Sequence, residues 1–359
     1  VTLTNPASHF LKILCHHSFM PVHPSLLNRD DWSQLSTVPG NGPYYIVERT
    51  EEELSMVRNE LYWDAKAVKI PRLTIRFIAD APADITKQFN DGRIHWVTGG
   101  MELASVNKPR SIIVNPLFAT TYFFIRADRE PFDDPKVRRA LALLLPWNQI
   151  RDESIQFIPA TTLVPAIPYY PDVETIAVQA VDEALQLLAE AGYTDGVRLP
   201  TLRVFVPQGS ENQRLATLMK ETWEEHLEVT VEIAVSEYPG YFDELKNQDY
   251  TLGTVSWIGD FADPFTFLQM WVTGSNVNDA GFSSTEYDDL LETAMTQSGS
   301  RRYETMAQAE EILLTSGTVL PISHSPAINL IDLDALDGWY PNPLDIHPFK
   351  FIRFAAFAP

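Results

Sequence analysis

The change of pattern at Asp128 constrains this chain more than any other feature. Before it, apolar residues follow a period of two: Leu73, Ile75 and Phe77 alternate with Thr74 and Arg76. Asn41-Gly42-Pro43 reads as a turn, Tyr44–Val47 as a strand and Leu54–Arg58 as its hairpin partner. A short helix is expected over Ala83–Asn90, ending at Asp91-Gly92, and another strand over Thr121–Arg126. After Asp128 helical spacing and strands take turns. Asp134 is placed to cap a helix with Pro135 at its first position, and Val137, Ala140, Leu141 and Leu144 share one face. Val181–Ala191 reads as a second amphipathic helix with Gly192 past its end. Strands at Leu202–Val206, Val229–Val235 and Tyr250–Trp257 follow, separated by helices from about Glu211 and near Tyr241–Lys246. Ser210 with Gln213 has the form of a capping box. Two more helices are expected near 286–297 and 301–314.

Strands that alternate with helices predict an α/β fold with a mostly parallel sheet. The expected organisation is a β-rich first lobe, residues 1–127 with 331–359, and a second α/β lobe, residues 128–330. The tail is assigned to the first lobe because Trp339, Tyr340 and Phe349 need a core to bury them.

Charge narrows the function. Lys and Arg number 27 against 48 Asp and Glu, a formal charge of −21 over 359 residues. So acidic a balance argues against nucleic acid as a partner. The single cysteine, Cys15, excludes an internal disulfide and a cysteine-rich metal site. Cys15-His16-His17 with His23 matches no standard zinc spacing, so no metal or other cofactor is expected. No stretch is long and apolar enough to read as a membrane span. Val1 opens without the charged and apolar regions of a leader, which suggests a processed, shortened or cytoplasmic chain. No Gly-x-Ser-x-Gly, His-Glu-x-x-His or P-loop motif is present, and an enzyme is not expected.

Several strings together resemble the peptide-type solute-binding proteins of ABC importers, family 5 of the extracellular solute-binding proteins. They are Asn41-Gly42-Pro43-Tyr44, Arg58 to Asp64, Pro131 to Leu141, Leu187 to Tyr193, Trp257 to Pro264 with Phe267-Leu268, and Phe282 to Leu290. They occur in family order. The match begins in the middle of the family pattern, so the first lobe is expected to be incomplete. Pro146-Trp147 stands where the family usually has Asp-Arg.

The resemblance implies a two-lobed periplasmic-binding-protein-like fold (class II) whose lobes close over an extended peptide. It also implies a membrane permease as partner and an extracytoplasmic location. A lipid anchor, where there is one, would be carried by a segment outside this chain. Asp260 matches the family's acid for the peptide α-ammonium. A carboxylate past a strand end, flanked by Trp257 and Phe261, makes a stronger charged hydrogen bond there than in water. The plain alternative is a turn or cap aspartate; Asp263 is read as a cap. Trp257 is a candidate pocket wall, with core packing as its alternative. Tyr238 falls where the family often lines its cleft. Thr254 occupies a position where some relatives carry an arginine for the peptide's carboxylate. Two other readings stay open: a shortened surface or scaffold relative without ligand, and a member for a nickel chelate or sugar.

Overall fold

The computed structural model describes residues 1–3, 7–31, 38–77, 80–152, 158–194, 198–237 and 240–355. The chain forms two compact units, one of Val1–Cys15 with Leu117–Pro326 and one of His16–Pro116 with Ala327–Pro359. The division differs from the expected boundaries at 127/128 and 330/331. It also places the first 15 residues with the α/β unit rather than with the β-rich one. The physical reason is local. His9 is buried, its ring stacked 5.9 Å from Phe261 and tilted 5.1 Å from Phe265. Lys12 Nζ donates to Ala262 O at 2.9 Å.

In the smaller unit, β1 (Tyr44–Arg49) and β2 (Glu53–Arg58) form the expected antiparallel hairpin. The turn before it is held by Asn59, whose amide donates to Gly42 O and whose backbone N–H donates to Pro43 O. β3 (Arg72–Arg76) pairs with β2. Helix α1 (Pro82–Asn90) buries Ile85 and Phe89 against Val97 of β4 (Trp96–Thr98) and Leu330. β5 runs from Ile112 to Ile125, so the strand expected at Thr121 is the second half of a longer one.

In the larger unit, α2 (Pro135–Leu144) starts as its sequence dictates: the Asp134 side chain accepts the Lys136 N–H at 2.8 Å. Val137, Ala140, Leu141 and Leu144 are fully buried. There follow β6 (Ile158–Pro159), α3 (Val181–Glu190), β7 (Leu202–Pro207) and α4 (Ser210–His226). The Ser210–Gln213 capping box does not form. The helix begins one residue earlier, with Gly209 as its cap and the Gln213 N–H bonded to Gly209 O, which leaves Ser210 inside the first turn. β8 (Val231–Ser236), α5 (Tyr241–Asn247), β9 (Leu252–Ile258), α6 (Thr285–Thr296), α7 (Gly299–Thr315) and β10 (Val319–Ile331) complete it.

The strand order is β10-β5-β9-β7-β8, with β6 on β10. β7 is parallel to β8 and to β9, but β5 and β9 are antiparallel. The sheet is therefore mixed, not mostly parallel. Helical crossovers α4 and α5 fix a common direction only for β7, β8 and β9.

One face of this sheet carries the main core. Phe123 and Ile125 of β5 meet Leu141 and Leu144 of α2, Leu188 of α3, and Leu215, Met219 and Trp223 of α4. Each such side chain contributes about 1.5–3 kcal/mol by leaving water. The Trp223 indole donates to Leu141 O at 2.9 Å, so its polar edge is satisfied inside the core.

In the tail, β11 (Leu336–Asp337) pairs with β12 (Arg353–Phe354). Ile331, Leu336, Trp339 and Ile352 share a core with Ile70, and Phe349 packs against it. Tyr340 does not; it is exposed, and its phenol stays in water.

Candidate functional site

The site grows from the end of β9. Pairing with β5 sorts its side chains. Leu252, Thr254, Ser256 and Ile258 stand opposite Ile125, Phe123, Thr121 and Ala119 on one face, while Gly253, Val255 and Trp257 share the other with Phe124, Tyr122 and Thr120. Thr254, one of the four sequence candidates, is 3 % exposed and donates its hydroxyl to Tyr122 O at 2.9 Å. That bond ties β9 to β5.

On the other flank β7 meets β9 only at Val204 and Leu252. Beyond that point the buried Tyr241 hydroxyl fills the gap. It lies 3.2 Å from Phe205 O and 3.0 Å from Thr254 O, and accepts the Thr254 N–H at 3.1 Å. The Thr254 peptide groups thus face away from β5, and by the two-residue period those of Ser256 and Ile258 do too. Gly259 faces back, donating its N–H to Phe118 O at 2.8 Å. A Cβ on Gly259 would stand 2.7 Å from a Phe118 ring carbon and 2.8 Å from Thr266 Cγ2, so only glycine lets the strand run this close. Among the described residues no strand pairs with β9 on its outer side beyond Leu252.

Asp260 follows this open stretch. It is half-buried, and its backbone N–H donates to Thr266 Oγ1 at 2.9 Å, which fixes the turn. Asp263 has a different task. Its carboxylate is buried and receives both Arg302 Nη1 and Nη2 at 2.9 Å, Lys12 Nζ at 3.3 Å and the Phe265 N–H at 3.1 Å. Burial alone would raise its pKa; the Arg302 hydrogen bonds and charge overcome that and hold the carboxyl below its usual range. The cap expected from the sequence is present as the bond to Phe265, but Arg302 is the larger partner. Burial, reinforced by Arg302, pushes the His9 imidazole down, so it packs as a neutral ring.

Trp257 borders a cavity of about 260 Å³ on its face of the sheet. Tyr122, Phe124 and Val255 form the floor, α5 contributes Phe242 and Lys246, and the segment after the Phe265–Leu268 turn contributes Met270, Trp271, Val277 and Asp279. The indole N–H groups of Trp257 and Trp271 are buried with no acceptor among the described residues. Such a group costs on the order of 1–3 kcal/mol. Burial pushes the Asp279 carboxyl above its usual range, against the pull of Lys246 and Arg126.

Asp260, Trp257 and Thr254 therefore come from one strand end, with Trp257 and Thr254 on opposite faces. Tyr238 lies outside the described residues. Tyr241, Trp271, Asp279 and Arg302 were not among the sequence candidates. Each acts through partners far along the chain; only Trp271, in an apolar run just after Asp263-Pro264, carried a local hint.

The sequence pattern of bacterial extracellular solute-binding proteins, family 5 Middle, matches residues 1–279. The oligopeptide-binding protein OppA of Bacillus subtilis is 26 % identical over 349 residues, covering 90 % of this chain and 63 % of that protein. The periplasmic oligopeptide-binding protein OppA of Salmonella typhimurium is 26 % identical over 343 residues, covering 90 % and 62 %. The chain thus spans under two thirds of the length of these relatives. Among solved structures, the murein tripeptide binding protein MppA of Escherichia coli superposes with a TM-score of 0.83 at 24 % identity, over 98 % of this chain and 72 % of that one. That likeness establishes the α/β binding-protein fold. With the family pattern covering most of its length, the chain belongs to family 5 of the bacterial extracellular solute-binding proteins.

Proposed function

We propose that this chain is the ligand-recognising part of an extracytoplasmic receptor that captures an extended peptide and delivers it to the permease of an ABC importer. The observation that carries the reading is the open edge of β9. Among the described residues nothing pairs with the main-chain donors and acceptors of Ser256 and Ile258, and Asp260 follows two residues later. A peptide added along that edge gains main-chain hydrogen bonds that are indifferent to its sequence. A carboxylate at the end of the same edge suits the peptide's α-ammonium. The names of relatives such as OppA support a peptide ligand, and that of the peptide transport periplasmic protein SapA of Salmonella typhimurium supports transport. The role is binding without turnover, and the location that goes with it is outside the cytoplasm.

Titration calorimetry tests this. A free-amine oligopeptide is expected to bind, and Asp260→Asn or N-acetylation each to weaken binding by about 1.5–3 kcal/mol, the scale of a charged hydrogen bond. Equal binding of free and N-acetylated peptides would remove Asp260 from this role. One relative supports a second reading: the probable deoxycholate-binding periplasmic protein YgiS of Escherichia coli, 25 % identical over 96 % of this chain and 67 % of its own length. The aromatic-walled cavity beside Trp257 fits such a ligand better than the open edge does. Deoxycholate binding without peptide binding, unaffected by Asp260→Asn, would establish that reading instead.

A further inference from the structure

The cavity beside Trp257 has a composition that selects its occupant. We propose that it is a side-chain subsite for a phenolic ring, the tyrosine side chain of the bound peptide. The proposal rests on the peptide reading above for how the ring arrives. A strand added to the edge of β9 turns alternate side chains to each face of the sheet, and one face leads to this cavity.

Size and walls favour an aromatic ring. The volume is about 260 Å³, and an apolar protein cavity of roughly 150 Å³ already admits benzene. Tyr122, Phe124, Trp257 and Trp271 supply ring surfaces, and Met270 a deformable thioether. Phe242, Lys246, Ser256 and Val277 are the exposed members of the lining, so the ring enters past them.

The polar groups favour a hydroxyl on that ring. The indole N–H groups of Trp257 and Trp271 have no acceptor among the described residues, but both nitrogens are sealed from solvent and offer an occupant no donor. The cavity presents the Asp279 carboxylate, for which no described donor lies within hydrogen-bond distance, with Lys246 nearby. A plain phenyl ring leaves the Asp279 carboxylate and Lys246 unmatched. A carboxylate side chain would meet Asp279 as a like charge. A phenol does both jobs: its O–H donates to Asp279 while its oxygen accepts from Lys246.

The test walks one tyrosine through the positions of a free-amine alanine tetrapeptide and measures each by calorimetry. At one position tyrosine is expected to bind at least roughly tenfold tighter than alanine, and severalfold tighter than phenylalanine at that position. Glutamate there should bind no better than alanine. Asp279→Asn should erase most of the tyrosine-over-phenylalanine ratio, and Val277→Trp, which fills the mouth, should collapse the tyrosine-over-alanine ratio. Equal affinities for tyrosine and alanine at every position would overturn the subsite, and phenylalanine equal to tyrosine would overturn the phenol. A second arm needs no peptide: p-cresol against toluene, read by saturation-transfer NMR on the wild type and Val277→Trp. If no peptide binds, the peptide reading fails. In that case a p-cresol signal stronger than toluene's, and lost in Val277→Trp, still upholds the cavity as a phenol site; its absence overturns that as well.

Discussion

Asp260 and Asp263 lie three residues apart in different surroundings. Asp263 is buried against Arg302, with side-chain exposures of 2 % and 3 %, and is spent on structure. Removing one member of such a pair leaves an uncompensated buried charge. Arg302→Ala is expected to destabilise the protein by about 3–5 kcal/mol in urea unfolding, whereas half-buried Asp260→Asn should change stability by less than about 1 kcal/mol. The pH dependence follows the sign of each shift. Asp263 is held below its usual range, so its contribution is present above pH 4 and is lost as acid protonates it. Glu310 behaves in reverse. It is fully buried on α7, where it accepts the Leu163 and Val164 N–H groups at 2.8 and 2.9 Å and the Tyr170 hydroxyl at 2.7 Å. Burial pushes its pKa up to about 7, although each of those bonds pulls it down. The folded chain then holds a proton that the unfolded chain has released. Stability should therefore fall as pH rises from about 4.5 to 7, by at most about 3 kcal/mol. Thermal unfolding across that range should show the decline in wild type and a flatter profile in Glu310→Gln. Identical profiles would show that Glu310 does not titrate there.

At the scale of elements, one phenol shapes the outer flank of β9. The Tyr241 hydroxyl serves Phe205 O on β7 and both peptide groups of Thr254 on β9, so it keeps two diverging strands bridged. Tyr241→Phe leaves those buried groups unpaired and is expected to cost about 1–3 kcal/mol in denaturant unfolding. Peptide affinity should fall with it if Tyr241 also fixes the outer edge of β9; an unchanged affinity would separate the bridge from the site. Much at this scale was legible in the sequence. Asp134-Pro135 announced α2, and strand and helix periods located β7, α3, α5 and β9 to within a residue or two. The first half of β5 was not legible, because Asn115-Pro116 reads as a break and only its neighbours hold that stretch extended. Ser210 misled because a glycine immediately before it takes the cap. Asp260 and Trp257 were found through the string they lie in, whereas Arg302 and Asp279 could not be found, since what gives them meaning lies 39 residues away or across a cavity.

For the whole molecule, the two units differ in how much they bury. The larger one packs α2, α3 and α4 against its sheet. The hairpin sheet β1-β2-β3 buries little; Ser55 is its one fully buried strand residue among those described, and nearby Leu61 and Trp63 are 95 % and 81 % exposed. Amide exchange should therefore be fastest in β1–β3 and slowest in β7 and α2. Equal protection would show that the small sheet is supported as firmly as the large one. The open run of β9 has one more consequence. A bare strand edge invites any extended chain, including unfolded neighbours of the protein itself. Here the invitation is three residues long, closed at one end by Tyr241 and at the other by the turn at Gly259. Fibril-forming zippers need segments of about six or seven residues, so this aperture is too short to seed one. Main-chain capture of the kind proposed above is thus compatible with resistance to aggregation at high concentration.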